Sequence, residues 1–161
     1  MWRPAVILLA AVLFCSAGCT APSLREPTIT LAGVTVENVT PGSIDLSLHL
    51  IVDNPNPIGA TLARIAFDVY FFDDGEWVFL AHGERGGFTI RPNDETAVSI
   101  PVTVDNLRLV QALFRGFADG AVTLRASGSG VVDYGIVTFE VPFDRTVEVR
   151  PDQPIAAARA K

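Results

Sequence analysis

Leu50-Ile51-Val52-Asp53-Asn54-Pro55-Asn56-Pro57-Ile58-Gly59 ends an alternating apolar strand in a proline-locked bend. The rest of the chain reads as further strands folding back onto it. Immediately upstream, Ile44, Leu46, Leu48, Leu50 and Val52 share one face, and Asp45, Ser47 and His49 share the other. Such period-two alternation marks a half-buried strand of an antiparallel sheet. Pro55 and Pro57 donate no ladder hydrogen bond and push Asn54 and Asn56 toward extended geometry. Both asparagine amides can bond the backbone of the turn they sit in. Read from these residues alone, the bend is a strand terminator with no binding role.

Working outward, Ile29, Leu31, Val34, Val36 and Val39 predict an earlier strand broken at Gly33, closed by the turn Thr40-Pro41-Gly42-Ser43. Downstream, Ile65, Phe67, Val69 and Phe71 alternate with Ala66, Asp68, Tyr70 and Phe72, so this strand is apolar on both faces. Asp73-Asp74-Gly75-Glu76 is a hairpin turn whose Asp-Gly step suits positive φ, and Trp77 to Ala81 returns beside it. Gly83 and Gly86-Gly87 read as breaks or bulges before Phe88-Thr89-Ile90, and Arg91-Pro92-Asn93-Asp94 turns the chain again. Val98, Ile100, Val102 and Val104 form the next strand, in which Pro101 argues for an edge or a bulge.

One segment changes period. Leu107, Val110, Phe114 and Phe117 form a helical stripe that packs on the sheet, with Asp105 or Asn106 as N-cap and Gly116 or Gly120 near its end. Alternation then resumes through Val122, Leu124 and Ala126, with Gly128 and Gly130 marking a bulge or a close backbone approach. After the turn Asp133-Tyr134-Gly135, it continues through Val137, Phe139, Val141 and Phe143, with Pro142 again suggesting a bulge. Seven or eight strands with regular turn signals and one helix near residues 106–117 predict a mainly all-β fold, an antiparallel β-sandwich. At 161 residues, 49% hydrophobic and 19% charged, the chain is one globular domain rather than a disordered one.

Part of the apolar fraction lies outside that domain. Arg3 precedes the unbroken apolar run Ala5–Phe14, and Ser16-Ala17-Gly18 supplies small residues ahead of Cys19, the layout of a secretory leader over 1–18. The run is about half the roughly 20 residues a membrane-spanning helix needs. Ser16-Ala17-Gly18-Cys19 also resembles a bacterial lipobox, which makes Cys19 the lipidated first residue of the mature protein. Ser16 replaces the usual leucine, and ordinary cleavage near Gly18 is the alternative. Bulky Phe14 disfavours Cys15. Residues 19–27 are then lipidated cysteine and tether, 28–150 the domain and 151–161 a tail. Two or more acyl chains anchor stably, where one holds marginally. With both cysteines in the leader region the domain contains no disulfide of its own. The net charge of −6, more acidic once Arg3 is removed, sets nucleic acid aside as a partner.

No catalytic constellation is legible. His49 lies on the polar face of its strand and His82 near a glycine-rich turn, neither with a cysteine or carboxylate at metal-ligand spacing. Nucleophile-elbow, zinc-protease and phosphate-loop patterns are absent from the sequence. Asp73, Asp74 and Glu76 are a solvated turn rather than a Ca²⁺ site. The expectation is a chain without catalytic residues, metal or cofactor.

The order of these pieces resembles the WHy (water stress and hypersensitive response) domain, the fold of type 2 late embryogenesis abundant proteins. The matching features are the strand ending in Asn54-Pro55-Asn56 and the strand Ala63–Tyr70. They continue with the glycine-rich stretch Gly83–Phe88, Ile90–Thr96 leading into an apolar strand, the helix, and Val141-Pro142-Phe143. The resemblance spans residues 28–150. It implies a β-sandwich similar to fibronectin type III and immunoglobulin-like domains, protection against desiccation, cold or other stress, and no catalytic residues to carry over. Asn54, Pro55 and Asn56 are the family motif, with a structural role. The leader resembles bacterial members, and Thr20 in place of Asp after Cys19 permits the periplasmic face of an outer membrane. The expected partner is the membrane, through the lipid anchor. The competing expectation is a module for an apolar ligand or an envelope protein, built on the aromatic residues between Phe67 and Phe79.

Overall fold

The computed structural model of the chain describes residues 23–150; Cys19, the leader and the tail 151–161 lie outside the described residues. Eight strands and one helix follow one another: β1 (Thr28–Val39), β2 (Ile44–Asn54), β3 (Ala60–Asp73), β4 (Glu76–Arg85), β5 (Phe88–Ile90), β6 (Asp94–Val104), α1 (Leu107–Ala118), β7 (Val122–Asp133) and β8 (Thr138–Val149). All the pairings are antiparallel. One sheet has the order β1-β2-β6; the other runs β4-β3-β7-β8, with β5 pairing β3 beyond the end of β4.

The sequence alternation accounts for the core. Ile44, Leu46, Leu48, Leu50 and Val52 are buried, and they share one cluster with Ile65, Phe67, Val69 and Phe71 of β3 and Val122, Leu124 and Ala126 of β7. Both sheets therefore turn their apolar faces onto a common interior, where burial is worth about 25 cal/mol per Å² of apolar surface. The chain changes sheet at residues 55–59 between β2 and β3, at 91–93 between β5 and β6, and through α1 between β6 and β7. The β3–β4 turn takes positive φ at Asp74 (47°) and Gly75 (88°), as its Asp-Gly step predicts.

Several expectations need correction. Gly83 is no break: β4 runs through it, because a Cβ there would stand 2.4 Å from the Phe67 ring. The irregularity of this hairpin lies between Val69 and Tyr70, opposite Leu80. Of the two readings of Gly128, a bulge or a close backbone approach, the second holds, since its Cβ would meet Ala66 O at 2.2 Å. Pro142 makes no bulge: the β7–β8 register runs unbroken through Ser129–Pro142, and β8 is a sheet edge, where a missing donor costs little. Pro101, expected at an edge or a bulge, does sit on an edge strand, β6, in unbroken register. The helix begins at N-cap Asn106 and buries Val110 and Leu113. Leu107 and Phe114, placed on the packed stripe by the sequence, are 54% and 43% exposed.

Candidate functional site

The Asn54–Asn56 corner is the most densely hydrogen-bonded polar group of the described residues, and its two asparagines are buried. The Asn54 side-chain oxygen accepts from the Asn56 backbone N–H (3.0 Å), from Asn56 Nδ2 (3.1 Å) and from the Tyr134 hydroxyl (2.7 Å). Its Nδ2 donates to the carbonyls of Ile58 and Arg91, both at 2.9 Å. Asn56 reaches the other way: its Oδ1 accepts the Arg25 N–H at 2.7 Å, and its Nδ2 donates to Arg25 O and the Tyr134 hydroxyl, both at 2.8 Å. The Asn93 N–H closes the set on Asn56 O at 2.8 Å.

Two asparagines thus fasten four segments: the chain entering β1, the β2–β3 bend, the β5–β6 turn and the β7–β8 turn. The prolines explain why they can. Pro55 and Pro57 stiffen the bend and present no amide of their own that needs a partner, so the asparagine amides are free to bond elsewhere. Buried side-chain polar atoms without a partner are absent among the described residues, and a fully satisfied buried network fixes one arrangement. Burial raises the Tyr134 pKa above its ordinary value, partly opposed by the hydrogen bond from Asn56 and reinforced by the Asp53 charge. The phenol therefore stays protonated, as its donation to Asn54 requires.

The histidines stand apart from this corner. His49 bridges the outer face of the three-stranded sheet, with Thr35 Oγ1 2.8 Å from Nε2 and Ser99 Oγ 2.9 Å from Nδ1. His82 has two carboxylate neighbours: Asp68 lies 2.8 Å from its Nδ1 across the β3–β4 pairing, and Glu84 lies 3.9 Å from its Nε2. Cross-strand register, invisible in local spacing, brings Asp68 there. Glu84 is shared with Arg64, whose hydrogen bonds hold its carboxyl below the ordinary range. No group of three or more His, Cys, Asp or Glu able to hold a metal occurs among the described residues, and Asp73, Asp74 and Glu76 do not converge into one.

The aromatic residues divide by parity. Phe67 and Phe71 point into the core, whereas Phe72, Trp77 and Phe79 are 47%, 39% and 49% exposed on the outer face of the larger sheet. Phe72 meets Trp77 edge to face with ring centroids 5.2 Å apart, and Tyr70 meets Phe79 at 5.8 Å. Arg125, opposite Tyr70 on β7, lies over the Trp77 ring at 5.8 Å and donates from Nε and Nη2 to the two carboxylate oxygens of Asp144. The hydrogen bonds from Arg125 lower the Asp144 pKa. From the sequence these aromatics are open between core and ligand site; strand parity turns Phe67 and Phe71 inward and Tyr70, Phe72, Trp77 and Phe79 outward. Tyr134, Arg25 and Arg125 were not singled out, although a tyrosine inside the Asp-Tyr-Gly turn is a signal, since such turns rarely need an aromatic.

A family model described as late embryogenesis abundant protein, LEA_2, matches residues 49–147, beginning just before the Asn-Pro corner. The uncharacterized protein MJ1138 of Methanocaldococcus jannaschii is 29% identical over 143 residues, 89% of this chain and 81% of that protein. Among solved structures, the solution structure of AT1g01470 from Arabidopsis thaliana is similar with a TM-score of 0.60 at 18% identity, over 84% of this chain and 88% of that one. The latter likeness is one of fold.

Proposed function

The chain belongs to the LEA_2 family of late embryogenesis abundant proteins, and from that premise we propose a non-enzymatic, lipid-anchored bacterial envelope protein that protects neighbouring molecules in desiccation, cold or other stress. Within the family it is the WHy, lipoprotein form, and its two sheets form a sandwich of the fibronectin type III kind. The observation that carries the reading is the fate of Asn54 and Asn56. Their side-chain hydrogen-bonding groups are taken up inside the fold, so the family motif is architecture rather than a site for substrate.

The anchor rests on the sequence Ser16-Ala17-Gly18-Cys19, and Thr20 in place of Asp permits placement at the periplasmic face of an outer membrane. Two measurements test the proposal. Labelled palmitate is incorporated by the wild-type chain in cells and not by Cys19→Ala; incorporation by the variant would refute the anchor. The chain without its leader preserves the activity of a labile enzyme through drying or freezing better than an inert protein of equal mass. Equal preservation would refute protection.

The outward aromatic cluster favours a second reading, an envelope binding module for a protein partner. That reading needs no lipid anchor.

A further inference from the structure

We propose that the outer face of β3, β4 and β7 around Trp77 is a docking surface for a basic amphipathic segment of a protein partner, a proposal that rests on the second reading above. The surface is segregated along the strands. Nearest the β3–β4 turn it is aromatic, with Tyr70, Phe72, Trp77 and Phe79 in two interlocked pairs. Farther from the turn the same face carries the His82–Asp68 contact and the Arg64–Glu84 ion pair. A solvated sheet face has no need of three large aromatic side chains left 39–49% exposed side by side, and contiguous apolar surface rimmed by polar groups marks an interaction site. Trp, Tyr and Arg are the residue types that dominate binding energy at protein interfaces. Here they are already fixed: the rings brace one another, and Asp144 holds Arg125 over Trp77. Little side-chain entropy remains to be lost on binding.

The rim decides the occupant. Asp73, Asp74 and Glu76 form the turn beside the aromatic rows, and none of them has an ion-pair partner among the described residues. Positive φ at Asp74 and Gly75 fixes that turn, so the three carboxylates stand at a set place beside the apolar centre. A segment that covers the rings and carries Lys or Arg at its edge meets them with opposite charge. A two-fold contact with a second copy whose axis passes through the acidic turn is disfavoured, because it would set the same carboxylates against each other. The anchoring bilayer is disfavoured by position. Arg25, where the tether joins the fold, is bound at the Asn56 end of the domain. Phe72 lies twelve residues beyond Ala60 along β3, about 40 Å away at the rise of an extended strand.

In the chain from residue 20 onward Trp77 is the single tryptophan, so its fluorescence reports directly on this face. The core residues lie between Ile29 and Val149, so that chain retains the whole core. The probes are a synthetic 18-residue Leu/Lys amphipathic helix, its Leu/Glu counterpart of the same pattern, phosphatidylcholine vesicles and a neutral oligosaccharide. The Leu/Lys peptide shifts Trp77 emission to the blue and binds about tenfold more weakly to Phe72→Ala/Phe79→Ala. Both substituted side chains are exposed, and an unchanged thermal midpoint confirms that this variant is folded. Binding falls several-fold in Asp73→Asn/Asp74→Asn/Glu76→Gln, which also loses most of the salt dependence. The proposal is overturned if the neutralised turn binds the Leu/Lys peptide as wild type does. It is equally overturned if the Leu/Glu peptide, the vesicles or the oligosaccharide binds as well as the Leu/Lys peptide; binding there without basic preference leaves the second reading standing and removes this one. If no probe perturbs Trp77, the second reading falls too.

Discussion

Asn56 is the residue on which the corner depends most, because its amide alone joins the entering chain to the β7–β8 turn. Removing it strands the Arg25 N–H and C=O and takes one partner from Tyr134. Each such hydrogen bond contributes about 0.5–1.5 kcal/mol, so Asn56→Ala, which loses the two bonds to Arg25 and the one to Tyr134, is expected to lose about 3 kcal/mol of stability, measured by urea unfolding. Loss under 1 kcal/mol would mean that the corner is slack. Tyr134 supplies a pH signature. Its folded pKa is raised above the ordinary 10.0, so its contribution is fully present below pH 10 and is lost as pH rises through the raised value. Alkaline titration above pH 10 should therefore destabilise wild type more steeply than Tyr134→Phe. Parallel curves for the two proteins would contradict the burial of that phenol. The motif itself was legible in the sequence. Its partners were not: Tyr134 and Asn54 are 80 positions apart, and no local pattern encodes a contact at that separation.

At the scale of elements, strands were the readable part. Period two fixes which side chains share a face, and β2 buries the set its alternation selects. The helix shows the limit. Its apolar residues form more than one candidate stripe, and sequence alone favoured Leu107, Val110, Phe114 and Phe117. Packing selects Val110 and Leu113, with Leu109, Ala112 and Phe117 half-buried beside them. Gly116 sits against Val122 of β7, where a Cβ would come within 2.8 Å of its Cγ2, so the face carrying Gly116 is turned toward that strand. Leu113→Ala should accordingly cost about 3 kcal/mol by cavity formation, while Phe114→Ala should stay within about 0.5 kcal/mol. The reverse ranking in thermal or urea unfolding would restore the stripe read from sequence. Gly83 and Pro142 depart from their sequence expectation for one reason. Both residues announce irregularity in isolation, yet what they do depends on the neighbour: Phe67 needs the space at Gly83, and Pro142 lies on an edge.

For the whole molecule, the antiparallel order of eight strands places the two conspicuous surfaces at opposite ends of β3. The asparagine corner and the entering chain lie at its start, and the aromatic face and acidic turn at its finish. In the proposed anchored form this polarity keeps the aromatic face away from the membrane that holds the chain. The family and the antiparallel β architecture were readable from the order of motifs. The outward aromatic face was not, because parity had to be combined with cross-strand register before Arg125 joined Trp77. The central claim is that the asparagine–proline motif is a latch that fastens the entering chain to the domain. Hydrogen exchange at the Arg25 amide tests it most directly, since that N–H is donated to Asn56 Oδ1 at 2.7 Å from an exposed residue ahead of the first strand. The account predicts slow exchange in the wild type and exchange near the open-chain rate in Asn56→Ala. Open-chain exchange of Arg25 in the wild-type protein would contradict it.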